Sequence, residues 1–556
     1  MKKVILALVV LALLAGVSFF LLKGKGKVDG ANFLPADNLL YVSFPDVART
    51  KERWPKTALA QIGAEPAVAD FLSKPLDQLS GGGGEASDLF NKVNPHSLFL
   101  AVTTLRQTGA HAVLGFKFSG SRKDLDAAMA RLYEVIGKNF PNPSTTTADY
   151  DGDTVTTFTG ARPMIFSAVH GEWGFLSDHE PTLRQTLDRA AGRDKSGSLA
   201  SAADFQRVLG KLPKEPDFFW YAAPQPLFEL ILAMGKKQGA RVNEKQLQQI
   251  EKVRAIGGTL AFDGAEQREA TFVLYPDGPK IPPIDRAPMA LTTPETRFYY
   301  DASLDWTTVA SDDYLASLPP EAQAFLARAA IDLKQLPGIF GNDLGLILNW
   351  APSAGIPTAM LALQVKDRAR AEAVASAVFT GLGIDATPGD IKGAKVFGIP
   401  SFKTPLLDPS LAVGDKFAIL SLNTAEIERA LSIADGAPTL ESAPDFKSAL
   451  SAYKDAGQAF GYVDSKALFE RVYNMARGVI MLAGAFSPNV SKMVDVSKLP
   501  GTDDISRHLG PILYTNKQFS DGFLIESSGP ITLSQAVMLI AIGAGAGYAS
   551  QMMGAH

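Results

Sequence analysis

Two stretches of the chain carry the same order of apolar and polar positions. LASAADFQRVLGKLPKEPDFFWYAAPQPLFELI occupies residues 199–231, and LESAPDFKSALSAYKDAGQAFGYVDSKALFERV occupies residues 440–472. At a constant offset of 241, eleven of thirty-three positions are identical, among them Leu199, Asp204, Phe205, Phe219, Tyr221 and Phe228. About two would match by chance at average residue usage. Phe205, Val208, Leu209 and Leu212, echoed by Phe446, Ala449, Leu450 and Tyr453, have the i, i+3, i+4, i+7 spacing of an amphipathic helix. Residues 201–204 and 442–445 are expected to cap it. Phe219 and Tyr221 alternate, as on one side of a strand, and Leu227, Phe228 and Ile231 open another helix. The repeated unit reads as helix, strand, helix, with its shared residues in a core.

The rest of the chain extends the repeat. At an offset of 259, Pro35, Tyr41 and Asp46 fall on Pro294, Tyr300 and Asp305, around a strand that follows a turn-forming proline. A helical region is expected over residues 48–79, then a hairpin of residues 97–104 and 110–119, paralleled by 344–350 and 358–365. Leu125, Met129, Leu132 and Ile136 mark one face of the next helix. Tight turns fall at Asp151-Gly152 and Lys392-Gly393, and strand pairs at 168–177 and 412–421. Ser177 with Glu180, and Asn423 with Glu426, have capping-box spacing. At an offset of 251, Phe272 falls on Phe523 and Leu274 on Ile525. The expected fold is therefore α+β, a tandem duplication of an antiparallel-sheet-plus-helices domain. The repeats span residues 28–276 and 293–528, joined by a stiff proline-rich linker at 277–292.

Both ends are apolar. After Lys2 and Lys3, residues 4–22 are uncharged, and Lys23, Lys25 and Lys27 follow. That pattern predicts a signal anchor, a transmembrane helix within residues 1–27. Residues 531–554, within the C-terminal segment 529–556, also lack charge and are long enough for a second membrane span. Gly543 and Gly547 form a GxxxG, and Ala541, Gly545 and Ala549 form another small-residue face for helix packing. The membrane is thus an expected partner through residues 4–22, and through 531–554 if the second segment inserts.

Composition narrows the function more than it defines it. The 556 residues are 46% hydrophobic and 20% charged with 32 Phe, which suits folded cores rather than disorder. A net charge of −4 offers no basic field for nucleic acid. Cysteine is absent, which removes disulfides, thiolate nucleophiles and thiolate metal sites.

No sequence constellation carries catalysis. Gly-x-Ser-x-Gly, His-Glu-x-x-His, a Walker loop and a dinucleotide fingerprint are all missing. The glycines at 81–84 follow a helical region and lead into Glu85, so they read as a solvated linker rather than a phosphate loop. Asp149, Asp151 and Asp153 lack the glycine and distal glutamate of a calcium loop and read as turn residues. Asp178, His179 and Glu180 are adjacent at a helix start, where they cannot all face one ion. No catalytic residue, cofactor or metal ligand is assigned.

The segment FLPADNLLYVSFPDVARTKERW, followed by PAVADFL, resembles a family of uncharacterised bacterial envelope proteins that open with Leu-Pro-Ala-Asp, then Tyr-Val and Pro-Asp. The resemblance is strongest over residues 33–72 and weakens in the second repeat, where Ala-Asp becomes Glu-Thr. It implies a bacterial source and an extracytoplasmic, periplasm-facing location, and it brings no activity. The expected function is a membrane-anchored, non-catalytic binding or scaffold module with a protein partner or a second copy of itself. The alternatives are a carrier of lipid or another hydrophobic ligand, and an enzyme of unrecognised class.

Overall fold

The computed structural model describes residues 29–536, apart from 81–92, 107–108, 138–141, 160–163, 227, 230–231, 233–250, 352–353, 385, 387, 405–406, 434–436, 451–456 and 487–494. In the first half the strands are β1 (Leu40–Phe44), β2 (Pro95–Arg106), β3 (Gly109–Phe118), β4 (Thr145–Tyr150), β5 (Asp153–Phe158), β6 (Ile165–His170), β7 (Trp173–Ser177), β8 (Phe218–Ala222), β9 (Ala255–Asp263) and β10 (Glu266–Leu274). In the second they are β11 (Thr296–Ser303), β12 (Phe340–Asn349), β13 (Thr358–Val365), β14 (Pro388–Ile391), β15 (Ala394–Gly398), β16 (Ser410–Val413), β17 (Phe417–Ser421), β18 (Ala459–Asp464), β19 (Pro511–Phe519) and β20 (Gly522–Gly529).

The spatial order β4-β5-β6-β7-β3-β2-β1-β8-β9-β10 recurs as β14-β15-β16-β17-β13-β12-β11-β18-β19-β20, with every neighbour antiparallel. The expectation of a separate sheet in each repeat is corrected at the junction. There β10 pairs with β20, from Gln267 opposite Gly529 to Leu274 opposite Gly522, and all twenty strands form one sheet. Each repeat ends on an edge strand whose open N–H and C=O groups need partners, and the two edges satisfy each other.

The predicted transmembrane helix is also corrected. Among the described residues no helix is long and apolar enough to cross a membrane. Residues 4–22 lie outside the described residues, and of 531–554 only 531–536 are described.

Two alignments of the repeats shift register. Tyr41 lies opposite Tyr221, and Tyr299, not Tyr300, lies opposite Tyr462, so this strand matches at an offset of 258. A one-residue slip exchanges the two faces of a strand, and accordingly Tyr299 is buried while Tyr300 points to the other side. The offset of 259 holds only at Asp46 and Asp305, which each accept a bond from the third residue of the following helix. In the last hairpin Asp263 pairs with Glu266 and Phe519 with Gly522, an offset of 256, so the Phe272–Phe523 match is coincidental.

One face of the sheet is packed in both halves, except at the outermost strands β4 and β14. Tyr41, Phe99, Phe175, Phe219 and Tyr221 lie under the helices Glu180–Ala190 and Ala203–Lys211. Tyr299, Ile347, Phe460 and Tyr462 lie under Thr424–Leu431 and Pro444–Leu450. The duplicated sequence acts here: Phe205 meets Tyr221 edge-on with ring centroids 5.1 Å apart, and Phe446 meets Tyr462 at the same 5.1 Å. The opposite face is covered only in part. Phe44, Leu98 and Phe116 pack with Val47 and Leu125, from the helices Val47–Arg53 and Arg122–Gly137. Val365, Phe397 and Val413 pack with Ala371, Ala375 and Phe379, from the helix Arg368–Gly381.

Candidate functional site

On the partly covered face, apolar side chains line up across the strands. In the second half Leu346 lies opposite Leu361, Leu361 opposite Leu420, and Tyr300 opposite Leu346. In the first half Leu100 lies opposite Leu114, Leu114 opposite Leu176, and Val42 opposite Leu100. The ladder thus places a leucine on each of three matching strands in both repeats. Leu346, Leu361 and Leu420 remain 38%, 38% and 43% exposed. Burying a leucine fully stabilises by about 1.5–3 kcal/mol relative to leaving it in water, so this row leaves a large part of that free energy unrealised.

The row continues inward. Tyr300 lies opposite Gly461, and Gly461 opposite Tyr514. Without a side chain at 461, the Tyr300 and Tyr514 rings approach to 6.1 Å between centroids. In the first half the counterpart of Gly461 is Trp220, which folds over Gly258 so closely that a Cβ there would lie 2.5 Å from the indole nitrogen. The first row therefore ends against an indole. The second runs on as an aromatic floor toward the seam.

A second cluster lies beneath the packed face of the second half. Tyr299 donates a 3.0 Å hydrogen bond to Asp301, which is fully buried, and Asp343 is 2% exposed beside it. The backbone N–H groups of Asp285 and Ala287 donate to Asp343 at 3.0 and 3.3 Å, and the Asp285 and Asp343 carboxyl groups shift each other in opposite directions. Burial pushes Asp301 up to about 6. Burial, the Asp285 contact and the nearby Asp301 charge raise Asp343, while the same contact holds Asp285 below the usual carboxylate range. The Arg286 guanidinium lies 4.3 Å from the Phe460 ring centroid. In the first half, serines 43 and 97 take the places of Asp301 and Asp343. The cluster fastens residues 284–291, in which Ile284, Met289 and Leu291 are buried, to the second half. Among the described residues no group of three or more His, Asp or Glu is arranged to hold a metal ion.

The residues singled out by sequence are scattered. Ala541, Gly543, Gly545, Gly547 and Ala549 lie outside the described residues, as do the glycines at 81–84. Asp151 and Gly152 turn with positive φ, as do Lys392 and Gly393, while Asp153 lies 2.9 Å from His170 Nδ1 and 3.6 Å from Arg193. His179, not Ser177, is the N-cap residue of the helix Glu180–Ala190, and Ser177 Oγ accepts from the His179 N–H instead. Asn423 caps its helix through Ala425 N–H, and Glu426 turns to Asn349 and Arg429 rather than closing a box. Ala202 occupies the N-cap of the helix Ala203–Lys211 without a side-chain bond, and Asp204 pairs with Arg254. His111 stacks on His179 with ring centroids 3.9 Å apart, a contact between positions far apart in sequence.

No protein-family model matches the chain, and no curated protein matches it. Among solved structures, crystal form I of TP0453 matches at 11% identity over 46% of this chain and 82% of that one, with a TM-score of 0.26. Crystal form III of TP0453 matches at 9% identity over 46% of this chain and 83% of that one, also with a TM-score of 0.26.

Proposed function

We propose that the chain is a non-catalytic binding or scaffold module of the bacterial envelope, holding an apolar partner against the open face of its sheet. The leucine row carries this reading. A solvated face of an antiparallel sheet is ordinarily polar, yet Leu100, Leu114 and Leu176 recur as Leu346, Leu361 and Leu420 on a face that the fold leaves partly open. Core packing accounts for Leu114 and Leu176, which pack partly buried against the cluster of Phe44, Leu98, Phe116 and Leu125, but not for Leu346, Leu361 and Leu420, which stay exposed. Lys2 and Lys3 ahead of the uncharged residues 4–22, and the resemblance over residues 33–72, support the envelope location.

The partner on this reading is a protein or a second copy of the chain. A lipid carrier is a second reading, favoured by the same observation, because a flat apolar surface floored by Tyr300 and Tyr514 also suits acyl chains. Purification of the full chain from gently solubilised membranes, followed by native mass spectrometry, tests both. A stoichiometric protein or dimer supports the scaffold, and an added mass in the lipid range supports the carrier. A bare, monodisperse monomer contradicts both.

A further inference from the structure

We infer that the chain carries a proton-operated latch between its two halves, in which the charged ring of His508 holds the first-half helix Ala58–Ala64 against the second half. The inference is independent of the leucine face. Thr57 caps this helix through the Ala60 N–H, and the helix ends at Glu65, whose N–H donates to the Gln61 carbonyl at 3.1 Å. Gln61 and Glu65, four residues apart, therefore lie on one side of it. From the other half, the short helix Thr502–Ser506 delivers His508 just ahead of β19.

The two side chains meet the ring at its two nitrogens. Glu65 Oε1 lies 2.6 Å from His508 Nε2, and Gln61 Oε1 lies 3.1 Å from His508 Nδ1. The Gln61 amide is oriented by its other end, because Gln61 Nε2 donates to the Lys56 carbonyl at 3.1 Å and a carbonyl can only accept. Its oxygen is thus the atom that faces Nδ1. A carboxylate likewise accepts, so both ring nitrogens must donate, and an imidazole carries protons on both only when it is charged. A neutral ring, in either tautomer, sets a lone pair against one of the two oxygens.

The surrounding charges do not replace this contact. Arg507 Nη1 lies 3.8 Å from the same Glu65 oxygen, but Arg507 also pairs with Asp504 at 3.1 Å and donates to the Asp503 carbonyl. Asp503 and Glu470 line an open cavity beside it, and Glu52 is held by Lys56 at 3.2 Å. Lys498 reaches Asp70 of the helix Pro66–Ser80 at 2.7 Å, a second bridge between the halves, yet both side chains are exposed and such pairs contribute little. His508 and Glu65 are only 15% and 18% exposed. Among side-chain types histidine is the one that ordinarily changes charge between pH 5 and 8. The latched form holds a proton that the open form releases, so the latch is complete in acid and weakens as pH rises through that range. At the offset of 256, Lys252 stands in the place of His508 and is exposed, which makes the latch a feature of one repeat.

Hydrogen exchange of the full chain, read by mass spectrometry at pH 5.5 and pH 8.5 and corrected for the intrinsic effect of pH, tests the proposal. In the wild-type chain, residues 58–65 should exchange slower by about tenfold or more at pH 5.5, while residues 267–274 of the seam keep their protection at both values. His508→Gln should abolish the difference. Gln61→Ala should abolish it too, since a neutral ring can then satisfy Glu65 with its single N–H; this half-exposed helical position tolerates alanine, so the variant carries the test if His508→Gln fails to fold. Equal wild-type protection at the two pH values, or a tenfold difference kept by either folded variant, would overturn the latch.

Discussion

Ala270 lies directly opposite Glu526 across the seam between β10 and β20. At the offset of 256 that the hairpins define, Glu526 is Ala270's own counterpart, so the antiparallel seam carries a pseudo-two-fold axis through this pair. Such a contact is isologous, the kind that joins identical subunits in a symmetric dimer, and here it joins two repeats of one chain. On the packed face Lys211 crosses it, with its Nζ 4.3 Å from the Phe519 ring centroid and 3.5 Å from Asp521.

The seam depends on close backbone approach at Gly522, where a Cβ would lie 2.1 Å from the Val273 carbonyl oxygen. Gly522→Ala is expected to lower stability by about 2–3 kcal/mol through forced displacement of β20. Gly398→Ala, where a Cβ meets nothing within 4 Å, serves as the control and should leave the thermal midpoint nearly unchanged. Equal melting of the two variants would contradict the tight seam.

The acid cluster of the second half predicts a pH dependence of definite sign. Asp301 is raised from an ordinary 3.8 to about 6, and Asp343 is raised with it. Their folded forms hold protons that the unfolded chain releases, so their contribution is fully present below about pH 4 and is lost as pH rises through about 6. Asp285, held low, acts oppositely and weakens the fold on acidification. Asp301→Asn should therefore gain stability relative to wild type by about 3 kcal/mol between pH 4 and 7. Thermal melts of the two proteins across that range give the difference directly, and a difference that shrinks with rising pH would contradict the cluster.

Asp217 is fully buried and accepts from Phe262 N–H at 2.8 Å while facing Arg49 at 3.5 Å and Arg53 at 3.4 Å. Asp217→Ala would strand the Arg49 charge and a buried N–H, at a cost of about 3–5 kcal/mol. In the second repeat Gln458 accepts the equivalent bond from Gln518 N–H at 2.6 Å. Asp217→Gln should accordingly recover part of the loss in chemical denaturation, and Gln and Ala variants of equal stability would rule out the shared bond.

Much of the architecture is legible in the sequence because local patterns carry it. The spacing of Phe205, Val208 and Leu212, and the alternation of Phe219 and Tyr221, mark buried faces of a helix and a strand that both repeats keep. The seam is not legible, since nothing local in β10 says that its edge partner lies more than two hundred residues away. Register slipped at Tyr41 and Phe272 because single matching aromatics outweighed the pleat. The leucine face had a signal in Leu98-Phe99-Leu100-Ala101-Val102, a continuous apolar run where a one-sided strand would alternate.

The central claim is that the leucine rows bind. Native mass spectrometry of the gently purified full chain, beside the variants Leu114→Lys and Leu361→Lys, tests it most directly. Leu361 is exposed, so Leu361→Lys should change stability by only about 0.5–1 kcal/mol, whereas Leu114 packs partly buried against the cluster of Phe116 and Leu125 and its lysine variant should cost more. The account predicts a stoichiometric companion on the wild-type chain that at least one lysine variant loses tenfold or more at an unchanged fold. A companion retained equally by both variants, or a wild-type chain that carries none, would contradict it.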